Sequence, residues 1–376
     1  MCRRRLCRQM KLLFLILVLC VFALHTYNKY CGVPFTRKNA VQEYDTGGVS
    51  IDITEYNKRR KLTQINVKSK RKRERITVQK TRIYHTDTQD EFSVTKNSIL
   101  TLKAMLTDSS FLKYLSSDTI QENPTNPLLK NECVSLQIPG SELVTPICVY
   151  DPKEDKWISS SLRAHGYWEW DTMYQMKSFL SKGTYLLDLG CNIGVFTLMA
   201  ARLGHNVVAV DPLKKSLWLL SRSLILGNLT SKVILLHNAI GDKVELVSLQ
   251  EERENIGGTF IQPEPEFNID DKDHTAMSVT LDHLIPLLAN ETVVLKMDIE
   301  SYEWKALKGG YGFFRNVNVK CVFMEWDFHR NNQNTASSII NFMKYFGFDP
   351  FSVLTRTRLS YNTFSVWPGD IIWIPK

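Results

Sequence analysis

A carboxylate two positions ahead of a glycine loop is the strongest chemical signal in the sequence. It stands in Leu187–Asp188–Leu189–Gly190–Cys191–Asn192–Ile193–Gly194–Val195–Phe196. Gly190 and Gly194 permit a sharp turn and close backbone approach to a ligand, and a helix beginning there would aim its unpaired N–H groups into the same space. A dinucleotide fingerprint spends three glycines on a pyrophosphate. Asp188 instead suits a cationic or hydroxyl-rich ligand and would repel a phosphate. About 17 residues after Gly194, Asp211 ends the apolar run Val208–Ala209–Val210. From that place a carboxylate accepts hydrogen bonds from two ribose hydroxyls in such sheets. Lys296, Asp298 and Glu300 form a third set, a cluster of charge that is expensive to bury without purpose. Alternation puts all three on one side if a single strand runs through them, although a turn is expected before Glu300. The bland alternative is a Lys296–Glu303 pair that braces the turn.

An acid–glycine loop with a ribose acid and no phosphate site is the chemistry of S-adenosylmethionine. The sequence resembles class I methyltransferases here, and the FkbM methyltransferase family in particular. The resemblance rests on Asp188–Gly194, Ala209–Val210–Asp211–Pro212, Asn238–Ala239–Ile240–Gly241–Asp242, Thr280–Leu281–Asp282, and Lys296–Met297–Asp298–Ile299–Glu300–Ser301–Tyr302–Glu303 through Leu307–Lys308–Gly309–Gly310. These pieces occur in the family's order and spacing over roughly residues 165–330. Two positions depart from it: Cys191 stands where the family usually has Ala, and Ser301 where it usually has Gly. The resemblance implies a cofactor site of Asp188, Gly190, Asn192 and Gly194, with Asp211 on the ribose and Asn238 and Ala239 bordering the adenine. It also implies that Asp298 sits at the methyl-transfer end of the fourth strand; the catalytic candidates are Asp298, Glu300 and Lys296, with either Asp298 or Glu300 as the base. His274 and His329 are alternative bases. Glu325 and Trp326 are candidates to line the acceptor pocket, and Trp168 and Trp170 to cover the cofactor. No metal ligand set is assigned: Asp270, Asp271 and Asp273 lack the Gly and distal Glu of a calcium loop.

Short apolar runs must position these groups. Strands are expected at Tyr185–Leu189, Asn206–Val210, Val233–His237, Val293–Met297, Lys320–Met324, Phe351–Leu354 and Ile371–Ile374. Helices are expected at Val195–Leu203, Lys214–Leu226, Tyr302–Lys308 and Thr335–Phe346. Strands that are apolar throughout belong to a sheet covered on both faces. The fold class is therefore α/β, a doubly wound, mostly parallel seven-stranded sheet with Rossmann-like winding and an N-terminal accessory region. Functional residues should gather at the carboxyl ends of its strands. Residues 250–278 show no clear period and read as a lid or substrate loop.

The chain has 376 residues and a net charge of +8, but the basicity is confined to the N-terminal quarter. Residues 1–11 hold five basic residues and residues 28–90 hold 15 against 7 acidic, so residues 91–376 are net negative and make no claim on nucleic acid. Arg3, Arg4, Arg5, Arg8 and Lys11 precede the apolar run Leu12–Leu24, and no charge returns before Lys29. This is a membrane-targeting signal. The expected organisation is a cytoplasmic tail (1–11), a signal-anchor (12–28), a basic flexible stem (29–90), an accessory cap (91–164) and a methyltransferase domain (165–376). Cleavage after Ala23 would instead release the chain. The basic flank directs the rest of the chain to the lumen of the endoplasmic reticulum or Golgi. An oxidising lumen favours a Cys133–Cys148 disulfide across a hairpin at Pro139–Gly140, while Cys191 and Cys321 read as buried small hydrophobes. The sequons at Asn228 and Asn290 suit that compartment.

The expectation is a membrane-anchored S-adenosylmethionine-dependent O-methyltransferase acting on a hydroxyl of a sugar, glycan or lipid. Its partners would be that acceptor and, through the anchor, the membrane. The alternative is a catalytically inactive methyltransferase-fold protein serving as a luminal interaction module.

Overall fold

The computed structural model describes Leu112, Tyr114, residues 131–262 and residues 273–376. The expected tail, anchor and stem, most of the expected cap, and Asp270 and Asp271 lie outside the described residues. Among the described residues, no helix is long and apolar enough to cross a membrane.

Strands β1 (Cys133–Gln137) and β2 (Val144–Cys148) form an antiparallel hairpin with Cys133 opposite Cys148. These two cysteines are disulfide-bonded, as the spacing across Pro139–Gly140 predicts. Two helices follow, α1 (Ile158–His165) and α2 (Trp170–Phe179). The winding then begins with β3 (Thr184–Leu189), α3 (Val195–Arg202), β4 (Val207–Asp211), α4 (Lys214–Leu226) and β5 (Val233–His237). After an inserted sheet and the short α5 (Ile285–Leu288) come β10 (Thr292–Met297), α6 (Glu303–Lys308), α7 (Phe313–Asn316), β11 (Asn318–Glu325), α8 (Gln333–Tyr345), β12 (Phe348–Ser352) and β13 (Asp370–Pro375).

The main sheet runs β12-β13-β11-β10-β3-β4-β5. Every neighbouring pair is parallel except those of β13, which is antiparallel to both β11 and β12. The alternation of side chains divides the core in two. Leu186, Val207, Ala209, Leu235, Val294 and Phe323 face α3, α4 and the β1–β2 hairpin. Leu187, Val208, Val210, Leu295, Val322 and Met324 face α6, α7 and α8. Each such buried Val or Leu contributes about 1.5–3 kcal/mol of apolar burial, and with both faces covered the strands must be apolar throughout. Cys191 and Cys321 are buried within this core.

The segment read as an unpatterned lid is partly regular. β6 (Ala239–Ile240), β7 (Leu246–Glu252), β8 (Asn255–Ile261) and β9 (Thr275–Val279) form a four-stranded sheet in the order β6-β9-β7-β8. Period was invisible because β8 reads Asn-Ile-Gly-Gly-Thr-Phe-Ile, with glycines where a strand would show its apolar face.

Candidate active site

The carboxyl ends of β3, β4, β10 and β11 open onto one cavity of about 310 Å3. Its floor is the turn after β3. Gly190 (φ 73°) and Gly194 (φ 91°) both adopt left-handed backbone that favours glycine. A Cβ on Gly190 would fall 1.7 Å from the Asp298 carbonyl oxygen, so this turn lies directly against the end of β10. Asn192 is left-handed as well (φ 48°).

Asp211, at the end of β4, ties the turn down. Its Oδ2 accepts the Asn192 N–H at 2.8 Å and its Oδ1 accepts the Leu213 N–H at 2.8 Å. Burial raises its pKa to about 6 against the two backbone hydrogen bonds that lower it. Each oxygen keeps a lone pair, and the side chain borders the cavity. Asn238 and Ala239, leaving β5, form the next stretch of wall. The β8 backbone closes over the turn: a Cβ on Gly257 would meet the Asn192 Nδ2 at 2.7 Å.

At the other end lie Lys296, Asp298, Glu300 and Glu325. Lys296 Nζ is 2.9 Å from Asp298 Oδ2 and 5.0 Å from the centre of the Phe196 ring. Burial works against its charge, but Asp298, Asp188 and Glu169 outweigh it and raise the ammonium pKa. Burial, then Asp298 and Glu303, push Glu300 to about 8. Glu325 is also raised, by burial first and then by Asp298 and Glu300. Carboxylate oxygens of Asp298, Glu300 and Glu325 all lie within 4.8 Å of one another, the one trio among the described residues placed to share a cation. Glu169, just before α2, borders the same space and is raised by burial and then by Asp370. The sequence reading named the tryptophans on either side of Glu169 and passed over the acid between them.

The structure thus brings Gly190, Asn192, Gly194, Asp211, Asn238, Ala239, Lys296, Asp298 and Glu300 together around one cavity. Asp188 differs. It is fully buried below the turn, where its Oδ2 accepts the Thr197 hydroxyl hydrogen at 2.6 Å and its Oδ1 has no hydrogen-bond partner. It reaches the cavity through the turn it supports and through the field of Lys296.

Several lesser expectations need correction. Lys296 pairs with Asp298, while the Glu303 carboxylate lies 2.8 Å from His329 Nε2, so no Lys296–Glu303 brace forms. His329 is buried in that contact and His274 lies 3.4 Å from Glu251; neither borders the cavity. Trp326 is core, packed on Trp367 and Trp373. Trp168 borders the cavity and Trp170 does not. The strand ends at Met297, and Glu300 (φ 53°) and Ser301 (φ 74°) make the turn expected there. Ser301 occupies a left-handed position, which is why glycine suits it in the family pattern.

The strand order, with one antiparallel strand inserted beside the edge, is that of the class I methyltransferase fold. Residues 188–350 match the family model described as the methyltransferase FkbM domain. No curated protein matches the chain. Among solved structures it is similar to a precorrin-6y C5,15-methyltransferase from Geobacter metallireducens (12% identity, 55% of this chain and 88% of that one, TM-score 0.29). It is also similar to a TehB-like SAM-dependent methyltransferase from Corynebacterium glutamicum (12%, 58% and 94%, TM-score 0.31) and to a SAM-dependent O-methyltransferase from Thermotoga maritima (8%, 66% and 86%, TM-score 0.31). The sheet order and the family match, rather than these distant likenesses, assign the domain. Over residues 188–350 the chain is similar to a methyltransferase domain, and that match implies S-adenosylmethionine as cofactor. The residues present fit that group: a hydroxyl-accepting carboxylate at Asp211 and a glycine turn too tight for a Cβ.

Proposed function

We propose that this protein is an O-methyltransferase that methylates a hydroxyl of a sugar, glycan or lipid within the secretory pathway. The observation that carries the reading is the single cavity joining Asp211 and the glycine turn to the Lys296–Asp298–Glu300 end. The Asp188–Gly194 turn and Asp211 hold the cofactor, with Asn238 and Ala239 beside its base. S-adenosylmethionine supplies an electrophilic methyl group already activated by its sulfonium. What remains for the protein is to orient the acceptor oxygen and remove its proton. Glu300, with its pKa raised to about 8, holds its proton at neutral pH. Asp298 is then the carboxylate that takes the acceptor's proton, held in place by Lys296 at 2.9 Å. Glu300 and Glu325 stand beside it as protonated carboxyls that can donate hydrogen bonds to the acceptor.

The secretory address is supported by the basic-then-apolar N-terminus, by the Cys133–Cys148 disulfide and by the exposure of Asn228 and Asn290, the two sequon asparagines. The uncleaved anchor belongs to the same proposal. The test is transfer of labelled methyl from S-adenosylmethionine to glycoprotein and glycolipid fractions of secretory membranes. Label in one fraction, falling by about 100-fold or more in Asp298→Asn, is the expected result. Full activity in that variant would remove Asp298 from the chemistry. A protein that binds the cofactor yet labels neither fraction would favour the interaction-module alternative.

A further inference from the structure

One buried pair is left unused by this mechanism. Glu303 and His329 are 0% and 1% exposed, and neither borders the cavity. Glu303 begins α6. Its Oε1 accepts the Ile299 N–H at 3.1 Å, and its Oε2 lies 2.8 Å from His329 Nε2. His329 Nδ1 lies 3.2 Å from the Thr335 hydroxyl in the first turn of α8, and the ring packs on Trp326 at 5.3 Å between centroids. A carboxyl group excluded from water is costly unless its oxygens are satisfied, and here both are.

The partners belong to different segments. Ile299 lies between Asp298 and Glu300 in the turn after β10. His329 closes the single helical turn Asp327–His329 that follows Glu325 at the end of β11. The Glu303–His329 hydrogen bond therefore ties together the two segments that carry the three clustered carboxyls. The first of them needs holding, because Glu300 and Ser301 are consecutive non-glycine residues in left-handed backbone. Such strain persists only where the surroundings over-determine it. Glu303 captures the N–H immediately before this pair, and one residue earlier the Asp298 N–H is anchored to the Leu189 carbonyl at 3.2 Å.

We propose that Glu303 and His329 are positioning residues whose hydrogen bond latches the β10–α6 turn to the β11–α8 turn. The latch fixes the spacing of Asp298, Glu300 and Glu325 across the acceptor end. The proposal rests on the reading of that end as the place of methyl transfer. Hydrogen bonding alone suffices for the latch. A Gln at 303 retains an acceptor for Ile299 and an N–H for His329, whereas an Ala retains neither.

The experiment compares the full-length wild type with Glu303→Gln, Glu303→Ala and His329→Ala by amide hydrogen exchange. Calorimetry with S-adenosylmethionine and methyl labelling of the same secretory glycan fractions run in parallel. Exchange across residues 298–302 and 326–329 is expected to quicken by about tenfold or more in the two Ala variants, with β3 and β4 unchanged. The Gln variant should stay within about threefold of wild type in both exchange and labelling, and cofactor affinity should stay within about threefold in all four proteins. Alanine variants that exchange and label like wild type would overturn the latch, as would a Gln variant as impaired as the Ala one. Should Glu303→Ala fail to fold, His329→Ala supplies the same contrast, since it leaves the Ile299 hydrogen bond in place. A wild type that binds no S-adenosylmethionine overturns the reading of the site, and the exchange comparison then decides the latch alone.

Discussion

Asp211 carries the clearest consequence at the scale of single residues. Its folded pKa is raised to about 6, chiefly by burial, so the side chain gains a proton as the pH falls through that value. The protonated carboxyl loses acceptor capacity for ribose hydroxyls. Cofactor affinity should therefore be full above pH 7 and decline as the pH drops below about 6, with Asp211→Asn showing weak, pH-independent binding by calorimetry. Ser301 carries a second consequence. At φ 74° a serine is strained and a glycine is not, so Ser301→Gly should stabilise the fold by about 1 kcal/mol. Thermal unfolding would show this as a rise of about 2–4 °C. The residues that line the glycine-turn end of the cavity were legible in the sequence because glycines and acids at strand ends have few other uses. Glu303 and His329 were not, because their contact joins residues 26 apart through two turns, and no local pattern encodes it.

The elements divide by how strongly periodicity marks them. Val233–His237 and Lys214–Leu226 occur where the pattern places them, and the other core strands shift by one to three residues at their ends. Continuous apolar runs between turn signals leave little freedom. The inserted hairpin of β7 and β8 escaped the same reading, since Gly257 and Gly258 interrupt the apolar residues Ile256, Phe260 and Ile261 that line the cavity with them. Those glycines are legible only once the backbone is seen beside Asn192. A Cβ at 257 would meet the Asn192 Nδ2 at 2.7 Å and Ile158 Cδ1 at 3.0 Å. Gly257→Val should therefore weaken cofactor binding by about tenfold or more, together with a loss of about 1–3 kcal/mol of stability from the forced contacts. Unchanged affinity would mean that β8 is not a wall of the cofactor site.

Across the whole molecule the architecture follows from one fact, a sheet apolar on both sides. Burying both faces requires helices on each, and parallel order then delivers the strand ends, and their polar residues, to a common edge. The β1–β2 hairpin packs into the same core as α3 and α4, so the region ahead of the winding contributes to that core as well. The central claim is that one cavity, spanning Asp211 and the Asp298 cluster, binds S-adenosylmethionine. Calorimetry of the purified full-length protein with S-adenosylmethionine, beside Asp211→Ala, tests it most directly. The account predicts one site per chain in the wild type and an affinity lower by about 100-fold in the variant, the loss of a buried group bearing two hydrogen bonds. A folded wild type that binds nothing, or a variant that binds equally well, would contradict it.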